Sequence, residues 1–548
     1  MAPLIEPGVE YEWFKLGDLV DRAARLWPDR PAVIFEDRRW TWTELAAEVD
    51  RVAKGLMAAS VGSGDHVAVW MTNRPEWVFT MFAAGKVGAC LVPLNTRYRS
   101  DDAAFTVADS QASLMITLDR SGPIDFAAML REARPQIEAA GHLRRIVVLD
   151  TTGGQGVATV PGASSWAELM AGGAAVTDGQ LADRAVSISV DQLMMLAYTS
   201  GTTGHPKGVQ HSHRPLRNVR ERAILWGNTF NDVHMGYLPL FHLFGFSEVA
   251  VMAAITGACQ VMMDAFDGER TLDLIEQHGA NIIHGFDSHY KDLLAAQARH
   301  PRDLSSLRYG TLAAGMESTT PTARAAQEAL CPTVSGYGMS EVWAFTSASH
   351  QSHSVEQRTE ASGFPCDGIE YQIRNLESGR EAAADVPGAL YVRGYTVTRG
   401  YWQRPEANAQ TIDADGWLDT GDLARVRPDG HLVFMGRHKD MLKVGGENVS
   451  PAEVEGYLLA SGGIQEIAVV GYPDPRLAEV PVAYVIPSAP GSVTAEELIE
   501  RCKGRIASFK IPRHVFLVDA LPMTPSGKIR KVELRAMAIE SLGDPNHA

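Results

Sequence analysis

Features that mark several other classes of protein are scarce in this chain of 548 residues. It contains only five cysteines, with no Cys-x-x-Cys spacing, a pattern that fits reduced thiols in the cytosol rather than a disulfide framework. Its formal net charge is −16, and an acidic chain is poorly suited to the phosphate backbone of nucleic acid. Local cations must therefore meet any anionic substrate.

Long apolar runs are also missing. The longest, residues 249–263, is shorter than the ~20 residues that a bilayer span requires, and it predicts a buried helix that runs into a strand. The first seven residues do not combine a basic start with an apolar core, so no secretory signal peptide is expected. These absences predict a cytoplasmic protein without a transmembrane segment.

The pattern of the first part of the chain predicts an α/β fold. A helix is expected to begin at Trp42, followed by a strand at 66–71, a helix at 78–87 and a strand at 90–94. Strands that alternate with helices at this spacing favour parallel βαβ units. The glycine-rich segment 150–191 is interpreted as a surface excursion. The length exceeds one ordinary core, so several subdomains are expected.

The end of the chain is predicted to form a separate, smaller unit. The pattern changes near residues 436–440, and helix starts follow at Ser450 and Thr494, each with a glutamate three residues later, as in a capping box. We expect a large N-terminal domain over 1–437 with βαβ sheets, and a small, mobile α+β domain over 438–548.

The most informative stretch is residues 199–208, a run of small and hydroxyl-bearing residues that follows an apolar strand at 193–198. Its glycines allow backbone N–H groups to converge on an anion. It is not a Walker A motif, because Pro206 precedes Lys207 and Gly208 follows it. The stretch predicts a phosphate-holding loop, whose nucleotide-binding residues are Thr199, Ser200, Gly201, Thr202, Thr203, Gly204 and Lys207.

Further strings occur in a consistent order along nearly the whole chain. They are residues 337–341, 419–422, Arg437, 443–448 and 522–528. Together with the loop, they resemble the signature of the adenylate-forming superfamily, which includes acyl-CoA synthetases, nonribosomal peptide adenylation domains and beetle luciferases. The acyl-CoA synthetase branch is the most similar.

The resemblance implies a role for each residue that would face the nucleotide. Tyr337 would pack on adenine, and Ser340, which replaces the more usual threonine, would meet the α-phosphate. Glu341 would help to hold magnesium, which prefers one or two carboxylates together with phosphate oxygens. Asp422 would accept hydrogen bonds from the ribose hydroxyls. Arg437 would contact ribose or phosphate, a role that suits its planar, permanently charged group.

The same resemblance implies roles in the smaller domain. Lys528 would be the catalytic lysine, since a mobile cation can bring two anions together and stabilise the charge that builds up when a carboxylate attacks the α-phosphate. Lys439 falls on the hinge position. Gly445 and Gly446 would line the channel for the pantetheine arm of CoA after the domain rotates.

The acid pocket is interpreted from the same family pattern. Its predicted residues are His242, Phe244, Gly315 and Met316, and Met316 departs from the usual family residue. Positions 238–246 contain no acidic residue. That argues against an α-amino acid, because a buried ammonium group would lack a counter-charge.

We therefore expect an ATP-dependent acyl-CoA synthetase that converts a fatty, aromatic or alicyclic acid through an acyl-adenylate to the CoA thioester, releasing AMP and pyrophosphate. The cofactors would be ATP, Mg²⁺ and CoA. The main alternative is an acyl-AMP ligase that loads a separate acyl carrier protein. A luciferase-like oxygenase and a nucleotide-sensing module are remoter alternatives. The sequence leaves open the identity of the acid and whether the protein is a homodimer.

Two other kinds of site are not favoured. Residues 338–342 break the Gly-x-Ser-x-Gly pattern of serine hydrolases. His205, His211 and His213 flank the loop without a cysteine or carboxylate at ligand spacing, so a metal site there is not expected.

Overall fold

The structure is a computed structural model that describes residues 13–543, apart from residues 154, 200–205, 317–318, 445–446, 475, 504, 507 and 525–527. Within these residues, two seven-stranded sheets and a four-stranded sheet precede a five-stranded sheet near the end of the chain. The predicted α/β class is confirmed, with a large first part and a small α+β second part.

The first seven-stranded sheet is parallel except at one edge, where a hairpin pairs its last two strands. Its central strands are buried along their whole length, as expected for a parallel sheet that is covered on both faces. In spatial order, its strands are Thr333–Val334, Tyr309–Leu312, Ile282–Gly285, Val233–Gly236, Cys259–Met262, Pro31–Phe35 and Arg38–Thr41.

The second seven-stranded sheet positions the predicted phosphate loop. It is parallel except for one antiparallel edge pair, in which Lys207 lies opposite Thr199. The loop therefore connects the two strands of a hairpin at the edge of the sheet. In spatial order, the strands are Lys207–Ser212, Leu193–Thr199, Cys90–Pro93, His66–Trp70, Leu114–Leu118, Arg145–Leu149 and Ser164–Ser165.

Helices cover both sheets, and the predicted helix at Trp42 is confirmed, with Thr41 and Glu44 forming a capping box at its start. The predicted helix and strand at 249–263 are confirmed, since a π-helical turn and a short helix lead into a strand. The helices of this part are Leu16–Leu26, Trp42–Ala58, Pro75–Val87, Ser100–Asp109, Phe126–Ala140, Gln155–Ala158, Trp166–Gly172, Asp178–Val186, Leu216–Leu225, Leu243–Gly245, Phe246–Val251 (the π-helical turn), Met252–Thr256, Gly268–His278, Asp287–Arg299, Thr320–Ala329, Val355–Thr359 and Pro405–Thr411.

The interpretation of 150–191 as a surface excursion is only partly right, because most of its side chains are exposed but the segment is helical and packs on the core. The segment contains the helices Trp166–Gly172 and Asp178–Val186, and the first packs against the helix Trp42–Ala58. Leu169 and Leu181 are buried. Val160 and Ile188 are also buried, so several apolar side chains anchor this glycine-rich stretch to the core.

The four-stranded sheet is antiparallel and carries two predicted nucleotide-binding residues. Asp422 lies opposite Arg437 in the register of its last two strands. The strands are Ile369–Arg374, Gly388–Gly394, Leu418–Val426 and Leu432–Arg437, and a small hairpin of Ser347–Ala348 and Phe364–Pro365 lies nearby in the sequence.

The last part of the chain folds around its own sheet, with apolar clusters that begin at Leu442, whereas the large core cluster ends at Leu432. This division agrees with the predicted boundary between 437 and 438, whose position stays a prediction. The strands are Leu442–Val444, Glu447–Val449, Ile464–Asp474, Ala478–Pro487 and His514–Leu517, and the helices are Pro451–Ala460, Ala495–Cys502 and Lys531–Leu542.

One of the two predicted capping boxes in this part is confirmed. The Thr494 hydroxyl accepts a hydrogen bond from the Glu497 N–H, and the Glu497 carboxylate accepts one from the Thr494 N–H. At Ser450 the helix begins as predicted, but the capping hydrogen bond is absent and the Ser450 hydroxyl instead donates to the Met435 carbonyl, at 3.3 Å. The hydroxyl thus links the start of the helix Pro451–Ala460 to the strand Leu432–Arg437.

Candidate active site

The described ends of the phosphate loop lie beside other predicted site residues. Thr199 and Lys207 face each other across the hairpin, and the Lys207 ammonium lies 4.9 Å from the centre of the Tyr401 ring. The neighbouring Trp402 N–H donates to the Gly208 carbonyl at 2.7 Å. The predicted residues Ser200, Gly201, Thr202, Thr203 and Gly204 lie outside the described residues, as does His205.

Glu341 lies in a single turn of 3₁₀ helix, Ser340–Val342, and is buried. The Tyr401 hydroxyl donates to Glu341 Oε1 at 3.0 Å, and the Thr398 N–H donates to the Glu341 carbonyl at 2.8 Å. His211 Nε2 donates to the Ser340 carbonyl at 2.6 Å. The turn is therefore held from three sides, with its carboxylate directed toward Tyr401.

His211 and His213 have separate, structural partners. Burial lowers the pKa of His211 to about 4, so it is neutral near pH 7 and donates from Nε2. His213 Nδ1 accepts a hydrogen bond from the Leu16 N–H at 3.0 Å. His211 therefore supports the turn Ser340–Val342, and His213 binds the start of the helix Leu16–Leu26.

Asp422 is the centre of a buried polar cluster. The Tyr337 hydroxyl donates to its Oδ2 at 2.5 Å, and Arg437 Nε lies 3.0 Å from Oδ1. Arg437 also donates to the Thr420 carbonyl at 3.0 Å. Burial raises the pKa of Asp422, and the Arg437 charge opposes that shift. Among the residues that the structure describes, Oδ1 has no polar contact beyond this ion pair with Arg437, so it can still accept a hydrogen bond from a hydroxyl group.

Lys528 comes from the last part of the chain and reaches this cluster. It follows a tight turn in which its N–H donates to Thr524 Oγ1 at 3.0 Å. The residue as a whole is exposed, but protein surrounds its ammonium group. This desolvation lowers the pKa of Lys528, the Arg437 charge acts in the same direction, and the Asp422 and Glu341 carboxylates oppose it.

The remaining predictions for the smaller domain are less fully described. Lys439 lies in the turn His438–Asp440, directly after the strand that ends at Arg437. Asp440, the next residue, forms an ion pair of 3.7 Å with Arg535 in the last long helix. Gly445 and Gly446 lie outside the described residues.

The predicted acid pocket contains an aromatic layer. The Phe244 ring makes edge-to-face contacts with Phe286 and Phe345, at 5.1 and 5.2 Å between ring centres. His242 lies two residues before Phe244 in the sequence. Burial lowers the pKa of His242 to about 4, with smaller contributions from the charges of Lys528 and Arg97. His242 of the predicted pocket and Lys528 are therefore close enough to interact electrostatically.

Gly315 has a backbone role at the edge of this region. Its φ of 120° is a conformation that side chains disfavour, and a Cβ atom there would lie 2.2 Å from Ser362 Oγ. That hydroxyl donates to the Ala314 carbonyl at 2.7 Å. The adjacent Met316 is partly buried, and its carbonyl accepts a hydrogen bond from the Thr319 hydroxyl at 2.8 Å.

Three residues of this site were missed by reasoning from the sequence: Tyr401, His211 in its supporting role, and Trp343. Trp343 lies two residues after Glu341, is fully buried, and has a φ of 84° and a ψ of 172°. Its indole makes edge-to-face contacts with His211 at 5.2 Å and Phe246 at 6.2 Å. The only sequence signal was a bulky aromatic residue so close to the glutamate.

Two family models match the chain. Residues 20–402 match the model described as AMP-binding enzyme, and residues 453–528 match the model described as AMP-binding enzyme C-terminal domain. The chain belongs to the AMP-binding enzyme family. The predicted resemblance to adenylate-forming enzymes is thus confirmed. No helix in the described ranges combines the length and the apolar character of a membrane span.

Curated relatives of this AMP-binding enzyme are similar over nearly its whole length. The 3-[(3aS,4S,7aS)-7a-methyl-1,5-dioxo-octahydro-1H-inden-4-yl]propanoyl:CoA ligase of Rhodococcus jostii is 34% identical, covering 94% of this chain and 97% of the relative. The mitochondrial medium-chain acyl-CoA ligase ACSF2 of Mus musculus is 30% identical, covering 95% and 87%. O-succinylbenzoate CoA synthetase (MenE) of Bacillus subtilis, solved with ATP and a magnesium ion, has a TM-score of 0.77 and 29% identity, covering 94% and 98%.

These findings confirm the predicted class of enzyme. The AMP-binding enzyme is an AMP-forming acyl-CoA synthetase, which uses ATP and CoA and acts on a small carboxylic acid through an acyl-adenylate. The roles of individual site residues stay predictions.

Proposed function

We propose that this acyl-CoA synthetase activates an apolar carboxylic acid of medium size at the site formed by Asp422, Glu341 and Lys528. In the first half-reaction, a carboxylate oxygen of the acid attacks the α-phosphorus of ATP, and the bond to pyrophosphate breaks. In the second, the sulfur of CoA attacks the acyl carbonyl carbon, and AMP leaves. The products are the CoA thioester, AMP and pyrophosphate.

The observation that carries this proposal is the Asp422 cluster with Lys528 beside it. Asp422 Oδ1, which Arg437 holds in an ion pair, suits the ribose diol, because a carboxylate oxygen accepts more than one hydrogen bond and hydroxyls donate them. Tyr337 packs beside Phe434, with 5.7 Å between ring centres, and offers an aromatic surface for adenine. Arg437 supplies a fixed positive charge next to both.

Lys528 is placed to act on the first half-reaction. The acid carboxylate and the α-phosphate are both anions, so bringing them together requires a cation between them. Because desolvation strengthens each interaction of the Lys528 ammonium, a lysine in this environment stabilises the charge that builds on the phosphate. Lys207, at the end of the phosphate loop, would provide a second cation for the phosphates.

Glu341 fits a magnesium site. Mg²⁺ in nucleotide enzymes takes one or two carboxylates together with phosphate oxygens, and Glu341 is a buried carboxylate that Tyr401 orients through one oxygen. The ion, when bound, would neutralise part of the triphosphate charge. Ser340 directly precedes Glu341, and its hydroxyl would meet the α-phosphate.

The pocket supports an uncharged acyl group. Phe244, Phe286 and Phe345 present aromatic edges and no charge. The first acidic residue after Phe244 in the sequence, Glu248, is fully buried in an ion pair with Arg222, so its charge is already balanced. The relatives act on a bicyclic diketo acid and on medium-chain acids, which agrees with an apolar acid of medium size.

The second half-reaction requires Lys528 to make room for CoA. We infer that the small domain, residues 438–548, rotates about Lys439 relative to residues 1–437. Gly445 and Gly446 would then line the path of the thiol, since glycines allow close approach of a narrow chain.

The first experiment measures AMP release over a panel of fatty, aryl and alicyclic acids with MgATP, with and without CoA, and identifies products by mass spectrometry. Thioester that forms only with CoA supports the proposal. Adenylate that accumulates despite CoA would contradict it and indicate a carrier protein as the acceptor.

A variant separates the two half-reactions. Lys528→Ala should lower acid-dependent pyrophosphate exchange by about 10²–10³-fold, while thioester formation from supplied acyl-AMP is largely retained. Lys503→Ala is the matched control, because Lys503 is an exposed lysine of the same part of the chain, paired with Glu500. Equal losses in both half-reactions would contradict the proposed role of Lys528.

A further inference from the structure

A row of four polar side chains crosses one face of the first sheet. Thr311, His284, His234 and Gln260 lie on four adjacent strands, and each is at most 1% exposed. Thr311 is the register partner of His284, and Gln260 is the register partner of His234. His284 Nδ1 lies 2.8 Å from Thr311 Oγ1, and its Nε2 lies 3.1 Å from His234 Nδ1. The two imidazoles are stacked, with 5.4 Å between ring centres.

The row ends in polar atoms without partners. Among the described residues, His234 Nε2 and both amide atoms of Gln260 make no hydrogen bond. Burial lowers the pKa of His234 to about 3, so the ring is neutral near pH 7 and its free nitrogen is a single donor or acceptor. Buried polar groups are nearly always paired, so an unpaired set inside an enzyme requires an explanation.

The row lies next to the acid pocket. The His284 ring centre is 6.3 Å from that of Phe244, in an edge-to-face contact. His284 and Thr311 precede the last residue of their strands by one position, and His234 and Gln260 by two. Ligands of open α/β sheets bind outside the carboxyl ends of the strands, so the row is one or two residues below that edge.

A second polar feature borders the same aromatic layer. Arg222 and Glu248 form a fully buried ion pair, and Arg222 Nη1 donates to the Phe345 carbonyl at 2.8 Å. Phe345 in turn contacts Phe244. The aromatic layer therefore contacts buried polar groups at two places, His284 next to Phe244 and Arg222 next to Phe345. A plain alkyl end that passed Phe244 would meet buried donors and acceptors that it could not satisfy.

We propose that the acid carries a carbonyl or hydroxyl oxygen at the end distant from its carboxylate, and that His234 and Gln260 bind this oxygen. The inference rests on the proposed function and specifies its substrate class. Gln260 supplies N–H donors for a carbonyl oxygen and an acceptor for a hydroxyl. His234 Nε2 adds a donor or an acceptor, depending on the tautomer of the ring. The Thr311 hydroxyl can donate to or accept from His284 Nδ1, and His284 Nε2 in turn contacts His234 Nδ1, so Thr311 can set that tautomer.

The test compares matched acids in the whole enzyme. The probes are 3-(4-oxocyclohexyl)propanoic acid, 3-(4-hydroxycyclohexyl)propanoic acid and 3-cyclohexylpropanoic acid, which differ only at the distal ring carbon. The wild-type enzyme should favour at least one oxygenated acid over the plain one by about tenfold or more in kcat/KM, because the plain acid leaves the row unpaired.

Variants then locate the discrimination. Gln260→Leu and Gln260→Met should reduce the preference to about twofold or less, mainly through a lower kcat/KM on the oxygenated acids. Gln136→Leu, at an exposed glutamine, is the control and should keep the preference. Gln260→Met maintains side-chain length in case the leucine variant folds poorly.

Two results would overturn the inference. One is a wild-type enzyme that forms thioester equally well from all three acids, which would give the row a purely internal role. The other is a preference that both Gln260 variants retain. Failure of the proposed function itself is distinct, since no acid would then yield a thioester.

Discussion

Trp343 offers a test of how the turn Ser340–Val342, which carries Glu341, is held in position. Its φ of 84° and ψ of 172° lie in a region that essentially only glycine adopts readily. The indole is fully buried between His211 and Phe246. We expect that this packing maintains the unfavourable backbone conformation and, with it, the position of Glu341 two residues earlier.

The expected magnitude follows from two opposing contributions. Replacing a buried tryptophan with alanine costs about 3–5 kcal/mol of stability, and a residue in this backbone region costs about 1–3 kcal/mol. Trp343→Ala loses the packing and keeps the strain, whereas Trp343→Gly loses the same packing without the strain. Glycine carries an entropic penalty of about 0.5–1 kcal/mol, so the midpoints of the two ranges make Trp343→Gly the more stable variant by about 1 kcal/mol.

The assay is denaturant unfolding of both variants, followed by far-UV circular dichroism, with Trp343→Phe as the control that keeps an aromatic ring. Pyrophosphate exchange by the folded fraction should fall most in Trp343→Ala and least in Trp343→Phe. The order of the two small residues is decisive. An alanine variant as stable as the glycine variant would refute the argument that packing of Trp343 holds a strained backbone.

Two further predictions concern buried ionisable groups. Glu248→Gln leaves the buried Arg222 without a counter-charge and should lower the free energy of unfolding by about 3–5 kcal/mol, whereas the double variant Arg222→Met, Glu248→Leu should recover most of it in denaturant titrations. His211 has a pKa of about 4 when folded and near 6.5 when unfolded, so the unfolded state binds the proton more tightly. Stability should therefore fall as the pH is lowered from about 6.5 to 4, and His211→Gln should reduce that slope in unfolding measured across this range; an unchanged slope would contradict the assignment.

Much of the fold could be predicted because buried parallel strands leave a clear pattern. The strands that begin at His66 and Cys90 are short apolar runs, and the helix at Trp42 carries its capping box in the sequence. Segment 150–191 was misinterpreted because its glycines dominated the composition. Its helices have capping boxes at Ser165 and Thr177, a local signal that predicts both starts.

In the candidate site, residues that belong to a local sequence motif could be predicted, whereas residues that support them from distant parts of the chain could not. Tyr337 and Asp422 stand in recognisable strings, and the structure brings them to 2.5 Å across 85 residues of sequence. Tyr401 supports Glu341 from 60 residues away and has no string of its own. Supporting residues of this kind act through packing and register, which the spacing along one segment does not encode.

The polar row shows why sheet register matters for function. Thr311, His284, His234 and Gln260 each interrupt a buried apolar strand once, and a single polar residue in a strand predicts nothing specific. Register aligns them on one face, where His284 contacts Phe244 and where, among the described residues, His234 and Gln260 keep unpaired polar atoms. A shift of one residue in any of these strands would move its polar side chain to the opposite face and break the row. The proposed binding of a distal oxygen therefore depends on the register of the whole sheet. The substrate preference of the Gln260 variants tests whether the row binds that oxygen.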